Sequence, residues 1–247
     1  MGDEKLPFTD HLTELRKRVL VCIAAVGIGF LASYFFSEKL FFILSRTLNV
    51  LLPEGNSFIF TNITEAFFTY LKLSFFAGII IAIPVILYEI WCFVTPGLYD
   101  KEKRYMIPFV FFSSIFFAAG VLFGYFAVFP IAFKFFLGFN TENIRMLPSI
   151  KEYLSFSCKF LLAFGIVFEM PVFILFLAKL GIVNEKQLRS NRKIVIVIVF
   201  IIAAFLTPPD VVSQILMAIP LIVLYEISIV VAKIFGKKKE EKEEESV

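Results

Sequence analysis

One acidic residue stands inside a long apolar stretch of the sequence, where a charge is costly. Glu169 falls in the run FGIVFEMP. Carboxyl groups within apolar spans normally face protein, water or a partner, and they often mark a substrate path or a protonatable site. Glu169 is therefore the first candidate functional residue. Three roles are open to it: contact with a substrate or partner helix, protonation, or a hydrogen bond to a neighbouring helix near Pro171.

Two further carboxylates stand at the borders of apolar segments. Glu14 lies in HLTELRKR, before the first apolar run, and Glu102 lies in the charged cluster DKEKR between two later runs. Both are expected at the same membrane edge, on separate elements that can converge. Simpler roles are also open, since Glu14 can pair with Arg18 four residues along a helix and Glu102 can be an acidic residue in the first turn of a helix.

The residues that other kinds of chemistry require are missing or scattered. The chain has one histidine, His11, and three cysteines without the spacing of metal ligands. It has no Gly-rich phosphate loop followed by Lys and Ser or Thr, and no HExxH sequence. The sequence therefore predicts no enzyme, no cofactor and no metal site. Its basic residues lie in a few clusters, which gives no indication of nucleic-acid binding.

The composition is that of an integral membrane protein. The 247 residues are 59% hydrophobic and only 18% charged, with a mean hydropathy of +0.86, whereas soluble domains are about 25% charged. The apolar runs predict six spans, the first preceded by a short amphipathic surface helix: 19–36, 66–88, 105–127, 153–178, 194–206 and 211–232.

The fifth span is too short for an ordinary bilayer. About 13 residues at 1.5 Å per residue cover roughly 20 Å, whereas the hydrocarbon core is about 30 Å thick. Either the bilayer thins beside the last two helices or these helices fail to reach one face.

Small residues recur four apart in the first span, at Ala25, Gly29 and Ser33. Such a stripe allows another helix to pack closely against it. The third span carries a similar pair, Gly120 and Gly124.

Two segments of the sequence are nearly alike. Residues 82–90 read AIPVILYEI and residues 218–227 read AIPLIVLYEI. The flanking residues do not continue the match, and the second copy is one residue longer. This pattern favours two helices that meet the same kind of interface over an internal duplication.

Lysine and arginine residues predict the orientation. Most of the 24 lie in the N-terminal segment, the loops at 91–104 and 179–193, and the C-terminal end. Because cytoplasmic loops carry the excess of these residues, both termini are predicted to lie in the cytoplasm. We assign residues 1–235 to one six-helix membrane domain and residues 236–247 to a disordered charged tail.

Four stretches, in this order and with these spacings, resemble the TatC family, the receptor core of the twin-arginine protein translocase: HLTELRKR (11–18), PVILYEIWCFVTPGLYDKEKR (84–104), FGIVFEMP (164–171) and LTPPDVVSQILMAIP (206–220). The resemblance covers nearly the whole chain apart from the tail. It implies an all-α polytopic protein of the bacterial cytoplasmic (inner) membrane, with six transmembrane helices in a concave, glove-like arrangement.

The resemblance also implies a function. A member of this family binds the twin-arginine signal peptides of folded precursor proteins at its cytoplasmic face. With single-span TatA- and TatB-type partners and other TatC copies in the lipid bilayer, it supports their export, driven by the proton-motive force.

The family pattern assigns roles to the two border carboxylates. Glu14 and Glu102 match its signal-recognition positions, and Phe93 matches an aromatic residue of the same cytoplasmic patch. The chemistry fits, because each arginine presents a planar fork of donors that a carboxylate can bind with both oxygens. Two carboxylates on separate elements can thus bind two adjacent arginines.

Three other positions follow from the same resemblance. Glu169 matches an intramembrane glutamate that faces the concave side, Asp210 a polar position of the outer turn, and Gln214 a contact with a partner helix.

Two other functions remain open from the residues themselves. A secondary transporter of a small solute would use Glu169 and Lys159 as midplane site residues. These two lie roughly 15 Å apart along a helix and so cannot pair directly, and Lys159 is expected to extend outward. A scaffold that only assembles other membrane proteins would leave the cytoplasmic carboxylates without a ligand.

Overall fold

The chain folds almost entirely into helices. The computed structural model describes residues 8–52, 58–59, 62–94, 106–139, 147–207 and 210–236. These residues form ten α-helices and one π-helical turn: α1 Phe8–Tyr34, α2 Ser37–Leu51, α3 Glu65–Val94, α4 Met106–Phe123, the π-turn Gly124–Val128, α5 Phe129–Leu137, α6 Ile150–Phe168, α7 Met170–Lys179, α8 Glu185–Ser190, α9 Arg192–Leu206 and α10 Val211–Phe235. Within the same ranges, the β-structure is limited to an isolated bridge between Ile59 and Ser149.

Several of these helices can cross a membrane. In the described part of the chain, four stretches are long and apolar enough: Glu65–Val94, Met106–Leu137, Ile150–Lys179 and Val211–Phe235. The first helix passes the same test together with α2, from which it is bent by 81°. The predicted all-α polytopic class is thus confirmed. Helix α9, where the fifth span was predicted, has only 15 residues, or about 22 Å, so thinning of the bilayer beside it stays a prediction.

Three predicted boundaries need correction. Helix α1 runs from Phe8 to Tyr34 without a break, so the described part of the predicted surface helix is continuous with the first span. Helix α3 continues to Val94 although Pro84 lies inside it. The third span extends to Leu137 because the π-turn joins α4 to α5. Pro130 falls in the first turn of α5, where a missing N–H costs little, so the helical path continues. Of the predicted disordered tail, residues 236–247, the structure describes Gly236, and residues 237–247 lie outside the described residues.

Helix α6 lies at the centre of the core. Nine of its 19 residues are buried. Phe160 lies 5.3 Å from Phe129 and 4.8 Å from Phe164, measured between ring centroids. The hydroxyl group of Tyr153 donates a hydrogen bond of 2.6 Å to the carbonyl oxygen of Leu44 on α2. The aromatic side chains of α6 therefore hold α2 and α5 against the middle of the molecule.

A buried carboxylate joins the first turns of α3 and α6. Glu65 is only 5% exposed. Its Oε1 atom accepts hydrogen bonds from the Ser149 hydroxyl group (2.8 Å) and the Lys151 backbone N–H (3.0 Å), and its Oε2 atom accepts one from the Asn62 N–H (3.2 Å). Backbone N–H groups at the start of a helix lack partners within that helix. The Glu65 carboxylate accepts a hydrogen bond from one such N–H group of α6. This contact fixes the distance between α6 and α3.

Helices α1 and α3 touch through glycine, as the small-residue stripe of the first span predicts. A Cβ atom added to Gly29 would lie 2.6 Å from the carbonyl oxygen of Gly78, and one added to Gly78 would lie 2.5 Å from the backbone nitrogen of Phe30. Both distances are shorter than a van der Waals contact, and both involve backbone atoms that cannot rotate away. Only glycine permits this approach of the two helices.

The close approach predicts the effect of a single methyl group. We expect Gly78→Ala to separate α1 from α3 and to lower the free energy of unfolding by about 1–3 kcal/mol. Gly27→Ala is the matched control, because a Cβ atom there meets nothing within 4 Å and alanine favours a helix by up to about 1 kcal/mol. The thermal midpoints of the purified variants in detergent measure the difference. Equal midpoints for the two variants would contradict the close contact.

Candidate functional site

The predicted cytoplasmic ends of α1 and α3 lie side by side. The two helices run in opposite directions, since Gly29 contacts Gly78 while His11 lies against Phe93. The His11 and Phe93 rings stack with centroids 4.3 Å apart and planes inclined by 20°. Glu14 follows His11 by three residues on α1. The structure thus brings the Glu14 and Phe93 positions to one corner of the molecule, which we call the α1–α3 corner.

An arginine joins two carboxylates in this corner. The Nε atom of Arg18 donates a hydrogen bond of 3.0 Å to Oε1 of Glu14, and its Nη2 atom donates to the same oxygen. The Nη1 atom of Arg18 donates across to Oε2 of Glu89 on α3, also at 3.0 Å. The three side chains are 24%, 26% and 13% exposed, in the order Arg18, Glu14, Glu89. The pairing of Glu14 with Arg18, which the sequence left open as a simpler role for Glu14, is thus present, whereas its role in signal recognition stays a prediction.

Glu89 is a member of this cluster that the sequence analysis missed. A signal for it was present, because Glu89 is the penultimate residue of the first of the two similar segments and Glu226 stands at the corresponding place in the second. Glu226 also pairs with an arginine on a neighbouring helix: Nη2 of Arg192 donates to its Oε2 at 2.6 Å. Each segment thus carries a carboxylate that binds a guanidinium group across a helix interface, which agrees with the interpretation that the two helices meet the same kind of interface.

The α1–α3 corner holds one guanidinium group between two carboxylates. Counted over Glu14, Arg18 and Glu89, the cluster carries a net charge of −1, and its partial burial strengthens its electrostatic interactions relative to bulk water. Such a cluster attracts cations, and its oxygens already surround a planar guanidinium group at hydrogen-bond distance.

Glu102 lies outside the described residues, so its distance from Glu14 stays a prediction. The described residue nearest to it in the sequence on the N-terminal side is Val94, which ends α3 one position after Phe93.

Glu169 stands at the junction of two helices. It is the C-cap of α6 and also the N-cap of α7. Pro171 lies in the first turn of α7. Its side chain is half-buried. The Ser113 hydroxyl group on α4 faces this carboxyl group, whereas the Oε1 atom is buried without a hydrogen-bond partner among the described residues. A buried carboxyl oxygen without a partner can accept a hydrogen bond from a ligand or from water.

Asp210 and Gln214 lie at the hairpin between α9 and α10. Asp210 caps α10, since its Oδ1 atom accepts a hydrogen bond of 2.7 Å from the Ser213 N–H, and its Oδ2 atom is buried without a partner in the described ranges. The side-chain amide of Gln214 donates a hydrogen bond of 3.0 Å to the carbonyl oxygen of Phe200 on α9. Both side chains thus stabilise the hairpin, well separated in the sequence from the α1–α3 corner.

The described residues offer no arrangement for a metal ion. Among them, no group of three or more His, Cys, Asp or Glu side chains is placed to hold one. Lys159 is exposed, and within the part of the chain that the structure describes it forms no ion pair with Glu169, as its distance along the helix predicts.

Comparison with known proteins points to one family. The model of the family described as Sec-independent protein translocase protein (TatC) matches residues 10–220. A Sec-independent protein translocase protein TatC from Desulforapulum autotrophicum is 55% identical over 244 residues, which cover 99% of this chain and 90% of that protein. The protein of the same name from Escherichia coli K12 is 40% identical over 242 residues, which cover 98% and 94%.

A solved structure has the same fold. The crystal structure of a twin arginine translocase receptor, TatC, superposes on this chain with a TM-score of 0.82 at 44% sequence identity. The match covers 91% of this chain and 98% of that one.

The ion pairs of Arg18 predict which part of the corner loosens when they are lost. We expect Arg18→Gln to reduce local stability at the first turns of α1 by about 1 kcal/mol, because the group is partly exposed, which raises amide hydrogen exchange there about fivefold. Arg16→Gln is the charge-matched control, since Arg16 is exposed on the same helix. Hydrogen-exchange mass spectrometry measures both. The same exchange in the two variants would mean that the cluster does not hold α1 to α3.

Proposed function

The chain belongs to the TatC family and is a receptor component of the twin-arginine protein translocation system, and we propose that the α1–α3 corner is where it binds the signal peptide. In this proposal, the corner binds the paired arginines of folded precursor proteins on the cytoplasmic side of a bacterial inner membrane. Single-span TatA- and TatB-type proteins and other TatC copies then support export, driven by the proton-motive force.

One observation supports the proposal above others, namely that Glu14 and Glu89 already bind a guanidinium group. Arg18 presents the same planar fork that an arginine of a signal peptide presents, and the carboxylate oxygens lie 3.0 Å from its nitrogens. A lysine would present a compact, strongly hydrated point charge instead. Carboxylates placed to accept hydrogen bonds from a planar guanidinium group therefore favour arginine over lysine.

The aromatic pair beside the carboxylates suits the same ligand. The stacked rings of His11 and Phe93 are half-buried, so part of their surface is open to a partner. Guanidinium groups stack on aromatic faces. In the proposed complex, Glu14 binds one arginine, Glu102 binds the other, and Phe93 contacts the peptide between or beside them.

The two arginines alone do not account for useful affinity. Each charge-assisted contact contributes about 1.5–3 kcal/mol, so two contribute about 3–6 kcal/mol, whereas micromolar binding requires about 8 kcal/mol. The apolar segment of the signal peptide must supply the difference by entering the membrane or contacting apolar helix faces. The arginines thus set specificity, and the apolar segment adds affinity.

The remaining predicted residues have separate roles in the proposal. Glu169, with its unpaired oxygen, is a polar contact for a helix or peptide within the membrane. Gln214 and Asp210 contribute to a contact with a TatA- or TatB-type helix at the α9–α10 hairpin. The secondary-transporter alternative, with Glu169 and Lys159 as its site, has no support from the family.

Removal of either recognition carboxylate tests the proposed site. We expect Glu14→Gln and Glu102→Gln each to weaken the binding of a twin-arginine peptide to the purified protein about tenfold, because each loses one charge-assisted contact. Glu38→Gln is the control, since it removes an equal charge from an exposed position in the first turn of α2. Fluorescence anisotropy of a labelled peptide, compared with its lysine-pair variant, gives the dissociation constants.

Two results would contradict the site. The Glu14→Gln/Glu102→Gln double variant could bind the twin-arginine peptide as tightly as the unmodified protein, or that protein could bind both peptides equally. Thermal midpoints of the variants establish that they are folded.

The position of Glu169 predicts contact with water. In a cysteine-free background, we expect a thiol at Glu169→Cys to react with a water-soluble maleimide, because only a hydrated thiol ionises readily. A thiol at Val172→Cys is the control and should be protected, since Val172 is buried on α7. Protection at both positions would show that the surroundings of Glu169 are dry.

A further inference from the structure

A cavity of about 440 Å³ opens between α1, α3 and α6. Its volume falls in the range of small-molecule sites. Most of its wall is apolar, and two lysines and a serine provide its charged and hydroxyl groups: Phe30, Leu71, Lys72, Phe75, Phe76, Leu154, Ser155, Cys158 and Lys159. Neither this cavity nor these lysines belong to the α1–α3 corner, so the inference below does not depend on the proposed signal-binding site.

Both lysines stand within membrane-crossing helices. Lys72 lies in Glu65–Val94 and Lys159 in Ile150–Lys179. Both side chains are exposed. Among the described residues, neither ammonium group has a hydrogen-bond or ion-pair partner, and no carboxylate lines the cavity. Glu65, seven residues before Lys72, binds the first turn of α6, and Glu152 lies two turns before Lys159 on α6. Two cations at one apolar cavity repel each other, and an anion between them removes that cost.

The two ammonium groups reach a similar depth. Helices α3 and α6 both begin at the end opposite the α1–α3 corner, which is the predicted outer face, and the Glu65 carboxylate joins them there. From those ends, Lys72 lies about 10 Å and Lys159 about 14 Å along its helix axis. Lysine side chains at such positions extend toward the membrane surface. Their ammonium groups therefore point to the headgroup layer of the outer leaflet, above an apolar wall.

We propose that this cavity binds an anionic phospholipid of the outer leaflet. The phosphate group lies between Lys72 and Lys159, the Ser155 hydroxyl group donates to the phosphate or glycerol oxygens, and an acyl chain lies along Phe30 and Phe75. Charge selects this ligand. The paired arginines of a signal peptide are repelled by the two lysines, and like-charge contacts exclude a ligand as effectively as attractive contacts select one.

Replacement of the two lysines tests the site in the full-length protein. Native mass spectrometry in detergent compares the retention of phosphatidylglycerol with that of phosphatidylcholine. At about 1 kcal/mol for each lysine near a charged headgroup, we expect a preference of about 25-fold in the unmodified protein. Lys72→Gln/Lys159→Gln should reduce this preference to about twofold or less.

Two further variants separate charge from fold. Lys39→Gln/Lys151→Gln removes the same charge from exposed positions at the same membrane face and should keep the preference. Ser155→Phe fills the cavity without a change in charge and should weaken the binding of phosphatidylglycerol. It also keeps the test decisive if the double lysine variant does not fold.

Three outcomes would overturn the inference. The first is an unchanged preference in Lys72→Gln/Lys159→Gln together with unchanged binding in Ser155→Phe. The second is displacement of the lipid by millimolar inorganic phosphate, which would show a free-phosphate site. The third is loss of TatA- or TatB-type helix binding in the double variant while lipid preference stays, which would assign the cavity to a partner helix.

Discussion

The contact between Gly29 and Gly78 sets the distance between α1 and α3, and the arrangement of the α1–α3 corner depends on it. Helices within a membrane gain little from burial against each other, because lipid tails are as apolar as their side chains. Association must then come from close packing and from a few polar groups. The glycine contact provides the packing, since a Cβ atom added at either glycine would lie within 2.6 Å of backbone atoms. Arg18 with its two carboxylates provides the polar contact at the α1–α3 corner. The same antiparallel register brings the aromatic rings of the corner together.

Arg18 has a consequence for how the corner can bind a peptide. An arriving arginine meets a carboxylate, Glu14, that already accepts two hydrogen bonds from an internal guanidinium group. If Arg18 had no other partner, its displacement would leave a partly buried cation unpaired, which is costly. Glu89 reduces that cost, because Arg18 can stay bound to it at the Nη1 atom while Glu14 turns to the ligand. The third carboxylate thus makes an exchange of guanidinium groups possible without exposing an unpaired charge.

The local features of this fold could be predicted from the sequence, and the long-range ones could not. The pairing of Glu14 with Arg18 follows from helical spacing, and the small-residue stripe indicated the close contact at Gly29. Glu169 at a helix junction follows from the proline two residues later. The partner of Arg18 on α3 is 71 residues away, and no local pattern specifies which apolar helix will present a carboxylate to it. The extension of the third span also escaped prediction, because a π-turn allows a helix to continue past the glycine and proline that normally end it.

The α1–α3 corner and the lysine-lined cavity carry net charges of opposite sign. Glu169 lies between these two places along the helices. The α1–α3 corner has more carboxylates than guanidinium groups, whereas two lysines and no described carboxylate line the cavity between α1, α3 and α6. Glu169, the C-cap of α6, follows Lys159 by ten residues, roughly 15 Å along the helix axis. That distance prevents an ion pair, and the protein supplies no donor to its Oε1 atom within the described ranges. This oxygen therefore has room to accept a hydrogen bond from water or from a ligand, as a polar contact within the membrane requires.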